Sequence, residues 1–392
     1  MNRIKILPKN IIKLEKLIVS KNNRFPMTQK QNIELKKSFA KENILITGAV
    51  GSIGKSFTSR ILDYDFNFLF LLDKNENELT KLNRKILLYQ NQNNKNIKIN
   101  YICSDLTSFD LENFIKSKKI SVFLNFAAIK HVRSEEEFQS AIYMLKTNSF
   151  SFIPKKKYNL KKVFSVSSDK SVNPHSILGF SKSLMENNLA DFKKKNQKVF
   201  VSSTRFANVC FSNGSIFEHA LGQIIKKEAF GIPSNIKRYF ITHDEAVNLC
   251  LKSLLKKNDG FIIIPNNKKI LKIENLKNKI IQLIKYFGYR VKFVNFINKN
   301  LIKNNYFSVI LTNREIVGQK KFEIFSSHDE KVIKDLEDSS INKIVLKKNI
   351  KEKLLQKKLL KTKNLKLLKK EIKKIYKNFK LKNNKLKISK II

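Results

Sequence analysis

The sequence has few of the residues that build disulfide frameworks and metal sites. Its 392 residues include three cysteines and five histidines. Cys103, Cys210 and Cys250 are scattered and odd in number, and no CxxC or Cys/His spacing is present. Because disulfide frameworks and zinc sites need paired or closely spaced ligands, we expect neither, and we expect no other metal site. This cysteine usage is typical of a reducing cytoplasm.

Long apolar runs are also missing. No stretch of about 18 or more apolar residues is present, and the first residues do not resemble a signal peptide. We therefore expect a cytoplasmic protein without a membrane span. Hydrophobic residues nevertheless make up 42% of the chain, which is enough for a sizeable core in one large domain or two ordinary ones.

Acidic residues are scarce relative to basic ones. The chain has 32 Asp and Glu against 79 Lys and Arg, a formal charge of +47, and it has no Trp. Lys, Asn, Ile and Phe are the residues that AT-rich codons favour, so we interpret much of this charge as mutational bias. The lysines are spread along the whole chain and no nucleic-acid-binding motif is present, so we expect no nucleic-acid partner. A basic surface would still attract an anionic substrate.

Glycine is rare, yet three of the ten glycines lie close together. Residues 44–47 form a short β-type run, Gly48, Gly51 and Gly54 follow, and an amphipathic run begins at Phe57. This pattern predicts strand, tight turn and helix, with the helix N-terminus free to bind a pyrophosphate. A second apolar run, 68–72, ends at Asp73, about 20 residues after the last glycine, where a ribose-binding acid is expected.

A carboxylate at this position would bind a 2′-hydroxyl and repel a 2′-phosphate, so we predict NAD rather than NADP. The alternative is that Asp73 is simply an acidic loop residue.

The alternation of strands and helices continues with a strand over 97–103, a helix over 107–116 and a strand over 122–126. Regular βα alternation implies a parallel sheet with right-handed crossovers. The predicted fold class is α/β, a Rossmann-type doubly wound parallel sheet with a smaller C-terminal substrate-binding region.

The segment 163–182 brings several reactive groups together. An apolar strand over 163–166 ends in Ser168, Asp169 and Lys170, and a helix carrying Lys182 follows the turn at Asn173-Pro174. Because ligands bind at the carboxyl ends of strands in open α/β sheets, this segment could supply an acid, a base and a cofactor-binding lysine. The alternative is a strand end followed by a Ser/Asp helix cap.

The motifs resemble those of a known family. In order they read ITGAVGSIG, SDL, NFAAIKHV, KTN, SSDKSVNP, GFSK, STRFANVCFSNGSIF and KRYFITHDEAV, from about residue 43 to 251, with a weaker echo at 318–323. This series is similar to that of the extended short-chain dehydrogenases/reductases. More narrowly, it resembles the nucleotide-sugar 4,6-dehydratases of bacterial polysaccharide biosynthesis.

The resemblance implies a UDP-N-acetylhexosamine substrate, bound NAD and a homo-oligomer. It makes Lys170 the base at C5 and Asp169 the acid at O6, places Ser168 near O4, and lets Lys182 bind the nicotinamide ribose. The implied cofactor-binding residues are Gly48, Gly51, Ser52, Ile53, Gly54, Asp73, Asp105, Leu106, Ala127, Ala128, Asn148 and Lys182. The implied substrate-binding residues are Lys130, His131, Asn208 and Arg238, the last two at the nucleotide diphosphate.

Three departures from the family pattern leave alternatives open. Many reductases of this superfamily carry a tyrosine four residues before the helix lysine, where this chain has Leu178. The segments 149–159 and 231–238 are shorter than the common form. The alternative functions are a nucleotide-sugar 4-epimerase, against which the pair Asp169-Lys170 and the missing tyrosine argue, and a degenerate, non-catalytic NAD-binding protein.

The order of polar and apolar segments also predicts the domain organisation of the chain. We expect a helical arm over 1–41, packed on the main domain or mobile, and an NAD-binding domain over 42–256 whose residues 205–240 also serve the substrate site. A substrate-capping region would follow over 257–335. Residues 336–392 are Lys/Leu-rich and predict amphipathic helices with a solvated face, or weak docking on an anionic membrane.

Overall fold

A computed structural model describes residues 9–294, 305–312, 323–347 and 352–376, and its centre is one large sheet. The strands are β1 (Asn43–Thr47), β2 (Phe68–Asp73), β3 (Ile99–Cys103), β4 (Val122–Asn125), β5 (Lys162–Val166), β6 (Phe200–Thr204), β7 (Asn208–Val209), β8 (Phe230–Pro233), β9 (Lys237–Arg238), β10 (Phe240–Ile241), β11 (Phe261–Pro265), β12 (Glu274–Asn275), β13 (Arg290–Val294), β14 (Tyr306–Thr312), β15 (Val332–Lys334) and β16 (Ile341–Val345). The helices are α1 (Lys9–Ile18), α2 (Gln29–Phe39), α3 (Ser52–Ile61), α4 (Glu76–Gln92), α5 (Leu111–Ser117), α6 (Phe138–Leu145), α7 (Ile177–Lys195), α8 (Ile216–Lys226), α9 (His243–Ser253), α10 (Asn267–Ile270), α11 (Leu276–Tyr286), α12 (Glu352–Leu360) and α13 (Leu365–Ile375).

The sheet has the order β15-β16-β11-β6-β5-β4-β1-β2-β3. Strands β1 to β6 and β11 pair in parallel, and β16 and β15 close one edge in antiparallel pairing. The strand order reverses at β1 and β4, the place where doubly wound sheets bind ligands. The predicted Rossmann-type doubly wound fold is confirmed.

Strand side chains alternate between two buried cores. Ile44 and Ile46 pack on one face of the sheet, and Leu45 packs on the other. Because successive strand residues point to opposite faces, a strand covered by helices on both sides must be apolar throughout. This explains the runs NILIT, FLFLLD and VFLN in β1, β2 and β4.

One helix begins later than the sequence pattern indicates. The pattern predicts a helix over 107–116, but α5 begins at Leu111. Asp105 accepts hydrogen bonds from the backbone and hydroxyl of Thr107 at 2.8 Å, which forms a turn, and Asp110 then caps the helix by accepting the Asn113 N–H. Asp side chains that bond to nearby backbone compete with helix in this way.

A second, smaller lobe has its own apolar core. It is organised around the three-stranded sheet β13-β14-β8, with α8 and α11 packed on it through Phe217 and Ile280. The stretch 257–335 therefore divides between two places, because β11 and β15 belong to the large sheet while α11, β13 and β14 belong to the small lobe. The domain boundary at 256/257 stays a prediction.

The N-terminal arm joins both lobes. Leu14 and Ile18 of α1 lie in the core of the small lobe, whereas Leu35 and Phe39 of α2 lie in the core of the large sheet. Helix α1 therefore packs in one apolar core with residues of both 42–256 and 257–335, among them Phe217 and Ile280.

The Lys/Leu-rich region contains the strand β16 and the helices α12 and α13. The apolar residues Leu355, Leu359, Leu368 and Ile372 of these helices are buried in one cluster with α6 and α7. Their apolar faces are therefore covered by the protein itself, so lipid docking by way of these faces receives no support. None of the helices in the described ranges is both long and apolar enough to cross a membrane.

Candidate active site

The glycine-rich turn lies against the residues that follow β4. This side of the sheet, where the parallel strands have their carboxyl ends, is called the carboxyl edge. Gly48 has a φ of +69°, and a Cβ added there would lie 2.4 Å from the backbone N of Ala127. A Cβ on Gly54 would lie 2.1 Å from the carbonyl oxygen of Gly48. Only glycine fits either position, so the spacing that the sequence showed is a steric requirement.

Helix α3 begins directly after this turn. Gly51 caps it with extended backbone, and Ser52 and Ile53 are its first residues. Their backbone N–H groups lie at the helix N-terminus, where a negative charge is stabilised. The Ser52 hydroxyl accepts the backbone N–H of Asn213 at 2.8 Å, which ties the turn to the loop after β7.

Asp73 ends β2 beside the same turn. One carboxylate oxygen accepts the N–H of Val50 at 3.2 Å, and the other accepts the N–H of Asn75 at 3.1 Å. Burial raises the pKa of Asp73, partly offset by these backbone hydrogen bonds. The carboxylate is thus held at the turn, as a ribose-binding acid must be.

Asp105 follows β3 and is joined to the neighbouring elements. The Tyr143 hydroxyl donates to it, and the Lys74 ammonium donates to the same hydroxyl at 3.0 Å. Although burial by itself raises the pKa of Asp105, hydrogen bonds from Tyr143 and Thr107 leave it below the ordinary value. Leu106 is buried in the core beneath. Tyr143 gave no sequence signal, because it lies on α6 without a recognisable motif.

Ala127 and Ala128 follow β4, and the Asn148 side chain bonds to the same loop. The Asn148 amide bonds to the backbone N–H and C=O of Ile129 at 2.8 and 2.9 Å, and to the Ser181 hydroxyl at 2.9 Å. Its side chain is fully buried, and these bonds fix the loop after β4 to α7. Direct contact between Asn148 and a cofactor stays a prediction.

The residues Ser168, Asp169 and Lys170, here called the catalytic turn, follow β5. The Lys170 ammonium lies 3.4 Å from the Asp169 carboxylate, with Asp169 buried and Lys170 about one-third exposed. The Ser168 hydroxyl accepts the Lys170 N–H at 3.0 Å and retains its own proton as a donor. An acid and an amine are therefore adjacent at the edge where a substrate would lie.

Lys182 reaches the same strand end from α7. Its ammonium donates to the carbonyl of Val166 at 2.9 Å, and burial lowers its pKa to about 8, against the raising effect of Glu186. Leu178, one turn earlier, is buried in the apolar cluster with α6, α12 and α13. The tyrosine position of other reductases is therefore part of the apolar core in this protein.

Lys130 and His131 face the loop after β7. The Lys130 ammonium lies 3.4 Å from the Ser212 hydroxyl. Desolvation lowers the pKa of Lys130, the charge of Glu218 opposes this, and the charge of Lys170 adds to the lowering. The His131 ring lies against Gly214, where an added Cβ would approach it to 2.4 Å. The charge interaction with Lys170 shows that Lys130 lies near the catalytic turn, whereas His131 contacts the loop after β7.

Asn208 and Arg238 share one buried carboxylate. Glu323 accepts the Asn208 amide at 2.8 Å and pairs with the Arg238 guanidinium at 3.0 Å. Burial raises the pKa of Glu323, Arg238 opposes this, and the charge of Asp169 adds to it. Glu323 has no predicted role from the sequence, although it is the last residue of the weaker family-like motif at 318–323. Residues 318–322 lie outside the described ranges.

The residues of the carboxyl edge fit a dinucleotide. A backbone cradle that a Cβ would fill, a helix N-terminus and a carboxylate lie next to one another at Gly48–Gly54 and Asp73. This donor set suits a pyrophosphate and an unphosphorylated ribose. In the described part of the chain, no cluster of His, Cys, Asp and Glu could hold a metal ion.

Comparison with known proteins places the chain in a family. The family model of the polysaccharide biosynthesis proteins matches residues 44–344. The chain belongs to this family. The expected relationship to the extended short-chain dehydrogenases/reductases that modify nucleotide sugars is thereby confirmed.

Three curated relatives show the range of this family. A protein of Methanocaldococcus jannaschii named an uncharacterized membrane protein is 28% identical over 266 residues, 66% of this chain and 76% of the relative. A UDP-N-acetylglucosamine 4,6-dehydratase (inverting) of Campylobacter jejuni is 27% identical over 257 residues, 62% of this chain and 72% of the relative. A UDP-glucose 4-epimerase of Rickettsia bellii is 26% identical over 267 residues, 62% and 74%.

Two solved structures share the fold. Pen from Bacillus thuringiensis is 21% identical and has a TM-score of 0.61, with 79% of this chain and 91% of the other covered. A dTDP-glucose 4,6-dehydratase from Bacillus anthracis, solved in complex with NAD, is 17% identical with a TM-score of 0.51, covering 73% and 88%. At these identities the likeness confirms the fold.

Proposed function

We propose that the protein is an NAD-dependent 4,6-dehydratase of a UDP-N-acetylhexosamine. The proposed substrate is UDP-N-acetylglucosamine and the product a UDP-4-keto-6-deoxy sugar for surface polysaccharide. The observation that carries the proposal is the Asp169 carboxylate beside the Lys170 ammonium, 3.4 Å apart at the carboxyl end of β5. One proton acceptor and one proton donor are what an elimination across C5 and C6 requires.

The chemistry explains why both groups are needed. H5 of a hexose is not acidic until C4 is a ketone. Bound NAD would supply the oxidant for C4 and return the same two electrons at C6, so that the cofactor is unchanged overall. The chain itself must bind and orient the sugar, remove a proton from C5 and deliver a proton to O6.

The catalytic turn divides these proton transfers. Transfer of a proton from the Lys170 ammonium to the Asp169 carboxylate, 3.4 Å apart, would give the reactive forms. Neutral Lys170 then takes H5, protonated Asp169 donates to O6, and the C6–O6 bond breaks to release water. As the two electrons return at C6, Lys170 would deliver its proton to C5, and the proton released from O4 would restore the acid form of Asp169. Ser168 donates its hydroxyl proton to the sugar near O4. Because Leu178 lies in the apolar core, the O4 proton must pass to Lys182 or to a bound water.

Substrate binding would use the cations of the small-lobe side. Arg238 and Asn208 hold Glu323 in the structure, and a nucleotide diphosphate would compete with this carboxylate for the guanidinium. Lys130 adds a positive charge close to the catalytic turn. NAD would lie on the cradle at Gly48–Gly54, with its adenine ribose at Asp73 and its nicotinamide ribose at Lys182.

A sugar 4-epimerase is the second candidate, because a relative named as an epimerase is 26% identical to the chain and one named as a dehydratase is 27% identical. The pair Asp169-Lys170 argues against it, since an epimerase needs no acid and base at C5 and C6. A degenerate protein that binds NAD without turnover is the third candidate.

Incubation with UDP-N-acetylglucosamine and mass measurement of the product separates the three. Loss of one water supports the dehydratase, and a product of unchanged mass with inverted C4 supports the epimerase. No turnover while NAD stays bound would leave only the degenerate protein.

The cellular compartment and the assembly of the enzyme are part of this proposal. Free thiols at Cys103, Cys210 and Cys250 agree with a reducing cytoplasm. A homo-oligomer and a weak contact between the basic C-terminus and an anionic membrane stay predictions.

A further inference from the structure

A buried carboxylate behind the catalytic turn bonds to both of its flanks. Glu186 Oε1 accepts the hydroxyl of Ser167 at 2.5 Å and the hydroxyl of Ser171 at 2.9 Å. Ser167 directly precedes the turn and Ser171 directly follows it. A single oxygen atom therefore fixes both ends of the segment that carries Asp169 and Lys170.

Glu186 is in turn held by a buried arginine. Arg205 donates its Nε to Oε1 at 2.7 Å and its Nη2 to Oε2 at 2.6 Å, so the pair is bidentate. The arginine is 2% exposed and the glutamate 7%. Two charges this deeply buried are stabilised only when they are paired and hydrogen-bonded.

The other side of the guanidinium joins a distant segment. Arg205 donates to the two carboxylate oxygens of Glu330 at 2.8 and 2.7 Å and to the carbonyl of Phe325 at 2.9 Å. The ion pairs with Glu186 and Glu330 outweigh burial and raise the pKa of Arg205. The guanidinium thus stays charged and links α7 to the segment that also carries Glu323.

Helix α7 holds the end of β5 at more than one point. Lys182 and Glu186 are four residues apart, so they project from the same face of the helix. Lys182 bonds to the Val166 carbonyl, while Glu186 bonds to Ser167 and Ser171. This spacing is the sequence signal that could have pointed to Glu186.

We propose that Glu186 is a positioning residue for Asp169 and Lys170, and that Arg205 holds its carboxylate in the orientation this task needs. The inference rests on the proposed function, since it assigns Glu186 to the same reaction. An ionised carboxylate only accepts and has about four lone-pair sites, so it can accept the two serine hydroxyls and the two guanidinium N–H groups together. A neutral amide would present N–H groups to Arg205 or to the serines and would loosen the turn.

The test compares two buried glutamates that are both paired with arginine. Glu186→Gln is the test variant, and Glu245→Gln is the matched control. Glu245 is fully buried and accepts Arg24 Nε and Nη2, each at 2.7 Å, at the start of α9 and away from the catalytic turn. Both changes remove one buried charge from an arginine, so a general loss of stability affects both variants.

With UDP-N-acetylglucosamine, we expect Glu186→Gln to lower kcat per NAD-bound site by about 10- to 100-fold, with KM changed less than about threefold, because misplaced groups cost rate. Glu245→Gln should keep kcat per NAD-bound site. Equal kcat values for the two variants would overturn the inference.

A second measurement needs no substrate. The backbone N–H groups of Lys170, Ser171 and Val172 are bonded within the turn to Ser168 and Asp169. Hydrogen exchange of the peptide over 167–172 should become faster in Glu186→Gln and stay unchanged in Glu245→Gln. Unchanged exchange in Glu186→Gln would overturn the inference. If the unaltered protein turns over no sugar, the proposed function fails, and this exchange experiment alone decides the positioning role.

Should Glu186→Gln fail to fold, the pair Ser167→Ala and Ser171→Ala replaces it. This double variant leaves the ion pair between Glu186 and Arg205 intact and removes only the bonds to the turn. Faster exchange over 167–172 with retained NAD supports the inference, and exchange like that of the unaltered protein contradicts it.

Discussion

Two halves of the carboxyl edge are built by different means. The proposed cofactor half comprises the turn Gly48–Gly54 with Asp73 and Asp105, and it depends on close backbone approach and local hydrogen bonds. The proposed substrate half comprises the catalytic turn with Asn208 and Arg238. It depends on buried charges from distant parts of the chain, including Glu186, Arg205, Glu323 and Glu330.

The difference shows what each half must do. A dinucleotide presents the same pyrophosphate and ribose to every enzyme of this fold, so a short backbone cradle is sufficient. Proton transfer needs an acid and a base held at fixed distance, and buried ion pairs can hold them because these pairs are strong where water is excluded. Substitutions that disrupt one half and leave the other intact test this difference.

The largest effect is expected from Lys170→Met. Dehydration should fall by roughly 10²–10⁴-fold because Lys170 is the proposed base for H5. NAD should stay bound, since the cofactor half is untouched. The check is exchange of H5 with deuterated solvent, which the variant should lose. Lys161→Met, at the opposite end of β5 and exposed, is the control and should behave like the unaltered protein. Near-normal H5 exchange in Lys170→Met would refute the assignment.

Gly54→Ala should break the cofactor half. The new methyl group would lie 2.1 Å from the Gly48 carbonyl oxygen, so the turn must open and NAD should be lost. Gly222→Ala is the matched control, because nothing lies within 4 Å of its added Cβ in α8. That control should keep NAD and gain roughly 0.5–1 kcal/mol of stability. Calorimetric titration with NAD checks both variants, and retained affinity in Gly54→Ala would contradict the steric argument.

Lys182→Met should separate cofactor binding from stability. Burial lowers the pKa of Lys182 to about 8, so the folded protein bears the cost of charging this amine at pH 7. The variant should bind NAD more weakly. Its free energy of unfolding at pH 7 should nevertheless be higher than that of the unaltered protein, by up to roughly 3 kcal/mol. Between pH 8 and about 10.5 the unfolded chain binds more protons than the folded one, so this gain should shrink as pH rises.

The control for that experiment is another buried lysine. Burial also lowers the pKa of Lys162 to about 8, but its ammonium bonds to the Leu254 carbonyl and the Ser38 hydroxyl at the opposite end of β5. Lys162→Met should show the same pH trend in unfolding free energy and keep its NAD affinity. A gain in Lys182→Met that does not change with pH would contradict the linkage.

Asp73→Ala should have the smallest effect. NAD binding should weaken by about 10- to 100-fold, the range for lost hydrogen bonds to a charged group, and the bias against NADP should relax. Asp110→Ala removes the α5 cap instead and should leave the NAD to NADP preference unchanged. Equal affinity of the unaltered protein for NAD and NADP would rule out the assignment of Asp73.

The sequence by itself determined the cofactor half and the catalytic turn. Apolar runs of period two, glycines at fixed spacing and an acid at a strand end are short-range patterns, and each specifies local backbone geometry. The sheet and the placement of Gly48, Asp73, Asp169 and Lys170 follow from them. The family resemblance added the order of the motifs, which no single pattern supplies.

Only the tertiary structure decided which distant groups complete the site. Glu186, Arg205 and Glu330 lie far apart in the chain and meet behind the catalytic turn, and Glu323 joins Asn208 and Arg238 in the same way. Likewise, the burial of Leu178 depends on α12 and α13, which arrive from the other end of the chain. Such contacts arise from packing of whole elements, because the free energy of a buried charge depends on partners that local sequence does not specify.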